Sequence, residues 1–145
     1  MTAKTLFPIT LAPRRRRVLQ AVVFESLALA IVTPVVARLF NHPPMSSFVL
    51  SALMSSVALG WNYGFNSVFE HWEARQPSRE RTWPRRLAHG LGFEIGLAAI
   101  LVPLMAVWLG VSLWQAFIAD LGLIVFFFFY TVAFTWAFDR LFRLP

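Results

Sequence analysis

Long apolar runs separated by short polar blocks make up nearly the whole chain. Four of them, at roughly 18–39, 47–69, 87–108 and 116–138, predict membrane-spanning helices. At about 1.5 Å per residue each is long enough to cross a hydrocarbon layer about 30 Å thick. Asn41-His42-Pro43-Pro44 predicts a turn between the first two, because paired prolines cannot continue a helix. Gly110-Val111-Ser112 predicts a second turn between the last two. The segment 71–86, HWEARQPSRERTWPRR, is polar and predicts a loop.

The pattern is also duplicated. A shift of 69 residues carries Arg17, Phe24, Glu25 and Pro34 onto Arg86, Phe93, Glu94 and Pro103. The same shift carries Trp61, Phe65, Phe69 and Glu70 onto Tyr130, Phe134, Phe138 and Asp139 without a gap. The chain therefore reads as a tandem repeat. It divides into a tail (1–16), a first helical pair (17–70), a loop (71–85), a second pair (86–139) and a short tail (140–145). The predicted fold is all-α, four transmembrane helices forming two helical hairpins. Two spans per repeat make the repeats parallel, related by an axis along the membrane normal.

Composition narrows the class. The 145 residues are 58% hydrophobic and only 14% charged, against about 25% charged in a typical soluble domain. There is no cysteine, hence no disulfide framework and no thiolate chemistry. The net charge of +6 would suggest nucleic acid in a soluble protein. Here the arginines stand in blocks between apolar runs, so they read as topology signals and lipid contacts, and no nucleic-acid partner is expected. Apart from Arg38, every Lys and Arg lies in a tail, directly beside it (Arg17) or in the 71–86 segment. The positive-inside rule then places both termini and that loop in the cytoplasm of a multi-pass inner-membrane protein. No phosphate loop, metal-ligand spacing or Ser-His-Asp set is evident, so no enzyme, cofactor or metal is expected.

The chemistry lies in acids within apolar spans, which are functional candidates by default. Glu25 and Glu94 hold equivalent places, eight residues inside Arg17 and Arg86. Asn62 lies eight residues back from Glu70, so depth matches Glu25 with Asn62, both about 12 Å in. It likewise matches Glu94 with Thr131. Trp61, Tyr63, Phe65 and Asn66 surround this level, with Trp136 and Glu94 contributing if the bundle encloses a site. Carboxylate, π faces and amides suit a lipophilic cation. Burial of a carboxyl favours its protonated form, so one acid can hold a proton or pair with a cation, but not both. That exclusion is the minimum chemistry of an antiporter.

Other residues carry weaker readings. Arg17 with Glu70, and Arg86 with Asp139, share the cytoplasmic edge and read as hairpin-closing ion pairs. His89, one turn inside Arg86, is either a proton relay to Glu94 or a satisfied interfacial histidine, and its counterpart Gln20 cannot titrate. Asp120 reads as a charge favouring the start of its helix, or as an exit-side cation contact. Gly60-x-x-x-Gly64 and Gly92-x-x-x-Gly96 fit close helix packing. Against the transporter reading stands a non-transporting membrane scaffold or assembly factor, with both acids bonded to Asn62, Thr131 or each other.

These motifs resemble those of the proteobacterial antimicrobial compound efflux (PACE) transporters, built from two bacterial transmembrane pair domains. The family's first and third motifs, R-x-x-H-A-x-x-F-E, are represented by Arg17-x-x-Gln20-Ala21-x-x-Phe24-Glu25 and Arg86-x-x-His89-Gly90-x-x-Phe93-Glu94. The second is represented by Trp61-Asn62-x-x-Phe65-Asn66-x-x-Phe69-Glu70, and the fourth by Tyr130-x-x-x-Phe134-Thr135-Trp136-x-Phe138-Asp139. Gln20, Gly90 and Thr135 depart from the pattern. The resemblance implies proton-driven export of cationic biocides such as chlorhexidine, with short-chain diamines as further substrates. It implies that Glu25 couples proton to substrate. Four spans make a thin wall around a drug-sized pocket, so a homodimer is expected.

Overall fold

The computed structural model describes residues 9–143. The first eight residues of the predicted N-terminal tail and the last two of the C-terminal tail lie outside them. Four helices follow one another: α1 (Pro13–Leu39), α2 (Pro44–Ala74), α3 (Trp83–Leu109) and α4 (Leu113–Leu141). All four are long and apolar enough to cross a membrane, as expected of a multi-pass membrane protein. Each begins or ends beyond its predicted span on the side of the termini. Arginine ends an apolar run but is a good helix former, so the helices continue through the basic blocks.

Helix starts follow local chemistry. Pro13 and Pro44 are the first residues of α1 and α2, where proline's missing N–H costs nothing. Ser112 caps α4, its hydroxyl accepting from the Gln115 N–H while the Gln115 side chain accepts from the Ser112 N–H. The two predicted turns form. Gly110 ends α3 with φ +66°, a left-handed conformation that glycine adopts without a Cβ penalty. Asn41 takes the same role after α1 with φ 48°.

Hydrophobic packing concentrates at the end bearing these turns, the hairpin end. Its core joins Val32 and Val36 of α1, Leu50 and Met54 of α2, Leu101, Met105, Ala106 and Leu109 of α3, and Ala116 of α4. The Trp108 indole N–H donates to the Ser46 hydroxyl at 3.1 Å, tying α3 to the start of α2. At the opposite, terminal end, two-residue strands β1 (Ile9–Thr10) and β2 (Phe142–Arg143) pair in parallel, which the sequence pattern does not announce.

Toward the terminal end the helices change partners. Among the described residues, every ring contact between helices joins α1 to α4 or α2 to α3, across the repeats. The ring contacts of the two seams repeat, although the α2 and α3 backbones approach each other more closely than those of α1 and α4. Phe65 meets Phe93 edge-on at 5.7 Å and 78°, and Phe134 meets Phe24 edge-on at 5.1 Å and 86°. Phe65 stacks on Phe69 at 23°, and Phe134 on Phe138 at 24°. The duplication in sequence thus reappears in the aromatic contacts that join the two hairpins.

Candidate functional site: two acid-bearing seams

The acids sit on these seams, beside a repeated hydrogen bond. The Trp61 indole N–H donates to the Phe93 carbonyl at 3.0 Å, and the Tyr130 hydroxyl donates to the Phe24 carbonyl at 2.7 Å. Each acceptor directly precedes an acid, Glu94 or Glu25. The aromatic groups thereby fix the helix turns that carry the carboxylates. Trp61 needs room for its larger ring, and α3 supplies it. A Cβ on Gly96 would collide with the Trp61 ring, and one on Gly92 would stand 3.2 Å from Phe65 Cζ. Repeat one has Val23 and Leu27 at those places, and the smaller Tyr130 stands at the place equivalent to Trp61. Gly60 and Gly64, by contrast, face open space, so that pair does not bring helices together within this chain.

This geometry changes the expected pairing of acid and amide. Depth matched Glu25 with Asn62 inside repeat one. The structure instead sets Asn62 beside α3, where it lines a groove with Arg86, His89, Phe93 and Glu94. The groove encloses about 420 Å³. A second, of about 750 Å³, runs along α2 past Asn62, Tyr63, Asn66, Ser67 and Glu70. Depth fixes position along a helix but not direction around it, and each helix has two neighbours. Glu25 belongs to the other seam, directly after the Phe24 carbonyl that accepts from the Tyr130 hydroxyl.

A hydrogen-bonded chain runs into the Glu94 groove. The Asn66 amide N–H donates to Asn62 Oδ1 at 2.8 Å. With the amide so turned, Asn66 Oδ1 accepts from His89 Nε2 at 2.7 Å. His89 is wedged against the rings of Phe65 and Phe69 at 5.3 and 4.7 Å. Repeat one has Gln20 and Thr135 at the matching places, so the chain is peculiar to the α2–α3 seam.

Neither glutamate has a hydrogen-bond or ion-pair partner among the described residues. The bonds to Asn62, Thr131 or each other that the scaffold reading requires do not form. Nor are both acids enclosed: Glu25 is half-buried and Glu94 exposed on the groove wall. The acid enclosed within the bundle is Asp120, only 4% exposed. Its repeat counterpart is Ser51, so the duplication argument passes over it.

The edge pairs also differ from expectation. Asp139 pairs with Arg16, not Arg86, because the seam brings the end of α4 to the start of α1. Arg86 donates from Nε to the Arg81 carbonyl at 3.2 Å, and Arg81 pairs with Glu73 at 3.2 Å. Arg17 and Glu70 are exposed and make no ion pair among the described residues. Trp136 is 59% exposed on α4, with the Arg140 guanidinium 4.1 Å from its ring centre, and lines neither groove. Tyr63 is 80% exposed and lines only the outer face of α2.

Comparison with known proteins agrees with this architecture. The family described as chlorhexidine efflux transporter (BTP) matches twice, over residues 12–75 and 81–144. A short-chain diamines transporter of Acinetobacter baylyi is 34% identical over 127 residues, covering 88% of this chain and 89% of its own. One from Acinetobacter baumannii is 35% identical, with 88% of each chain covered, and one from Vibrio parahaemolyticus is 33% identical, with 88% and 90% covered. No solved structure matches. Two matched repeats, whose ring contacts recur in the two seams, place this chain in the BTP family of chlorhexidine efflux transporters, the PACE transporters.

Proposed function

We propose that the protein exports organic cations, chlorhexidine-like biocides and short-chain diamines among them, in exchange for protons. The observation that carries this is a pair of unpartnered carboxylates, Glu25 and Glu94, held midway along apolar helices beside aromatic rings. An ion in that setting is costly unless it serves a cation or a proton. Glu25 is the coupling acid, as the family resemblance implies. Glu94 lines a groove within the size range of small-molecule sites. Asn62 offers an acceptor oxygen to a cation there, Asn66 and Tyr63 offer an amide and a π face in the adjoining groove along α2, and Trp61 and Trp136 are the further aromatic candidates, outside both grooves. The family and the named relatives support the substrate class, and the basic tails support termini on the cytoplasmic side of the inner membrane. Both grooves are open along one side, which a second copy of the chain would close in a homodimer.

Coupling is tested by proton release from detergent-solubilised protein when chlorhexidine or a diamine is added. Wild type should release protons, and a folded Glu25→Gln variant should not. Release that persists in Glu25→Gln but vanishes in Glu94→Gln would move coupling to the α2–α3 seam. A folded wild type that releases none with any cation would refute antiport.

A further inference from the structure

The chain of His89, Asn66 and Asn62 can run in either direction. In the structure both links point toward Asn62. His89 Nε2 donates to Asn66 Oδ1 at 2.7 Å, and the Asn66 amide donates to Asn62 Oδ1 at 2.8 Å. That direction occupies one lone pair of Asn62 Oδ1 and leaves its NH2 group free. A neutral imidazole carries its proton on either ring nitrogen. With the proton on Nδ1, Nε2 becomes an acceptor and both amides turn over. Asn66 then donates to His89, Asn62 donates to Asn66, and Asn62 Oδ1 is released with both lone pairs. The number of hydrogen bonds in the chain is the same in both directions. The rings of Phe65 and Phe69 hold the imidazole at 5.3 and 4.7 Å, so reversal needs two amide rotations and a change of nitrogen, with no helix movement.

Asn62 is the end of the chain that lines the Glu94 groove. A cation lodged in that groove meets the Glu94 carboxylate and Asn62 together. If it carries N–H bonds, it gives one to the carboxylate and another to the released Oδ1, in charge-assisted hydrogen bonds. A quaternary ammonium ion has no N–H and relies on charge and π faces. The groove has few such faces. Phe93 is the one phenyl ring among its lining residues, and Phe65 already meets it edge-on at 5.7 Å. The fixed charges lining the groove are Glu94 and Arg86. Arg86 lies eight residues from Glu94, about 12 Å along α3, with its Nε donating to the Arg81 carbonyl at 3.2 Å. The α1–α4 seam has Gln20, Thr131 and Thr135 at the three matching places, so the reversible chain belongs to the α2–α3 seam.

We propose that this groove selects cations that carry N–H donors, amines and biguanides, over quaternary ammonium ions, and that His89 is the positioning residue whose change of tautomer turns the Asn62 oxygen to the cation. One proton leaves Nε2 to water and one joins Nδ1 from water. No proton is released overall, and coupling stays with Glu25. The inference rests on the reading of the protein as a cation exporter.

The probes are a straight-chain diamine and its fully N-methylated, bis-quaternary analogue, equal in charge and chain length. Affinities are measured for purified wild type and Asn62→Leu in detergent at one mildly alkaline pH. Wild type should bind the diamine at least about tenfold more tightly, the worth of one hydrogen bond to a charged group. Asn62→Leu should bring the two within about threefold by weakening the diamine. In protein labelled with isotopic histidine, the diamine should move the His89 Nε2 resonance from the protonated to the unprotonated range, and the analogue should leave it in place; comparison with His89→Gln identifies the signal. Equal affinities in wild type, a ratio unchanged by Asn62→Leu, or a His89 ring that does not respond to the diamine would each overturn the proposal. Should Asn62→Leu not fold, the wild-type ratio and the His89 resonance decide by the same outcomes. A wild type that binds neither cation would overturn the exporter reading itself, and cation-evoked proton release tests antiport separately.

Discussion

Replacing Gly96 with alanine drives a methyl group into the ring of Trp61. The ring is not free to retreat, because its N–H is held by the Phe93 carbonyl at 3.0 Å. Two routes are open and both cost free energy. Forcing the packing costs about 1–3 kcal/mol, and swinging the ring away gives up a hydrogen bond of about 0.5–1.5 kcal/mol together with its packing. Alanine returns about 0.5–1 kcal/mol because it is the better helix former. The net expectation is a loss of about 0.5–2 kcal/mol. Repeat equivalence suggests how to relieve it, since Tyr130 stands at the place of Trp61 and Leu27 at that of Gly96. In a Trp61→Tyr background, Gly96→Ala should therefore be neutral or stabilising by up to about 1 kcal/mol. The assay is equilibrium unfolding in mixed detergent micelles for wild type, both single variants and the double variant. A coupling of about 0.5–3 kcal/mol is expected. Equal effects of Gly96→Ala in both backgrounds, within about 0.5 kcal/mol, would refute the seam as described.

Other predictions follow from the same geometry. His89→Gln keeps a donor for Asn66 but cannot titrate, so stability should hold within about 0.5 kcal/mol while cation-driven proton exchange slows; an unchanged rate would leave His89 a packing residue. Asp139→Asn removes the charge of an exposed pair with Arg16, so unfolding should shift by no more than about 1 kcal/mol, and less at high salt. Gly110→Ala forces a Cβ into a left-handed turn and should cost about 1 kcal/mol, read from the same unfolding titration.

Much of this fold is legible in the chain because each feature has a local cause. Apolar runs set the four helices, paired prolines and Gly110 set the turns, and the 69-residue shift sets the hairpins. Azimuth has no such local signal. Counting inward from Arg17 and Glu70 places Glu25 level with Asn62, yet their helices turn those side chains to different seams. One clue lies in the sequence: Gly96 and Trp61 correspond to Leu27 and Tyr130 in the 69-residue shift, a size exchange that fits the contact of α3 with α2. Asp120 is legible as a charge near the start of α4, but its burial is not. Repeat logic looks for duplicated acids, and this one is matched by Ser51. The edge pairs differ for the same reason: depth matches Asp139 with Arg86 of its own repeat, whereas the crossing of α1 and α4 brings it to Arg16.

The most direct measurement is the affinity of the purified protein for chlorhexidine as a function of pH, wild type beside Glu25→Gln. If one carboxylate holds either a proton or a cation, wild-type affinity falls as pH drops through its titration. The slope approaches about tenfold per pH unit once the acid is mostly protonated. The folded Glu25→Gln variant should bind weakly with no such slope. A wild-type affinity that does not change with pH would contradict the exchange of proton for cation on which the account rests.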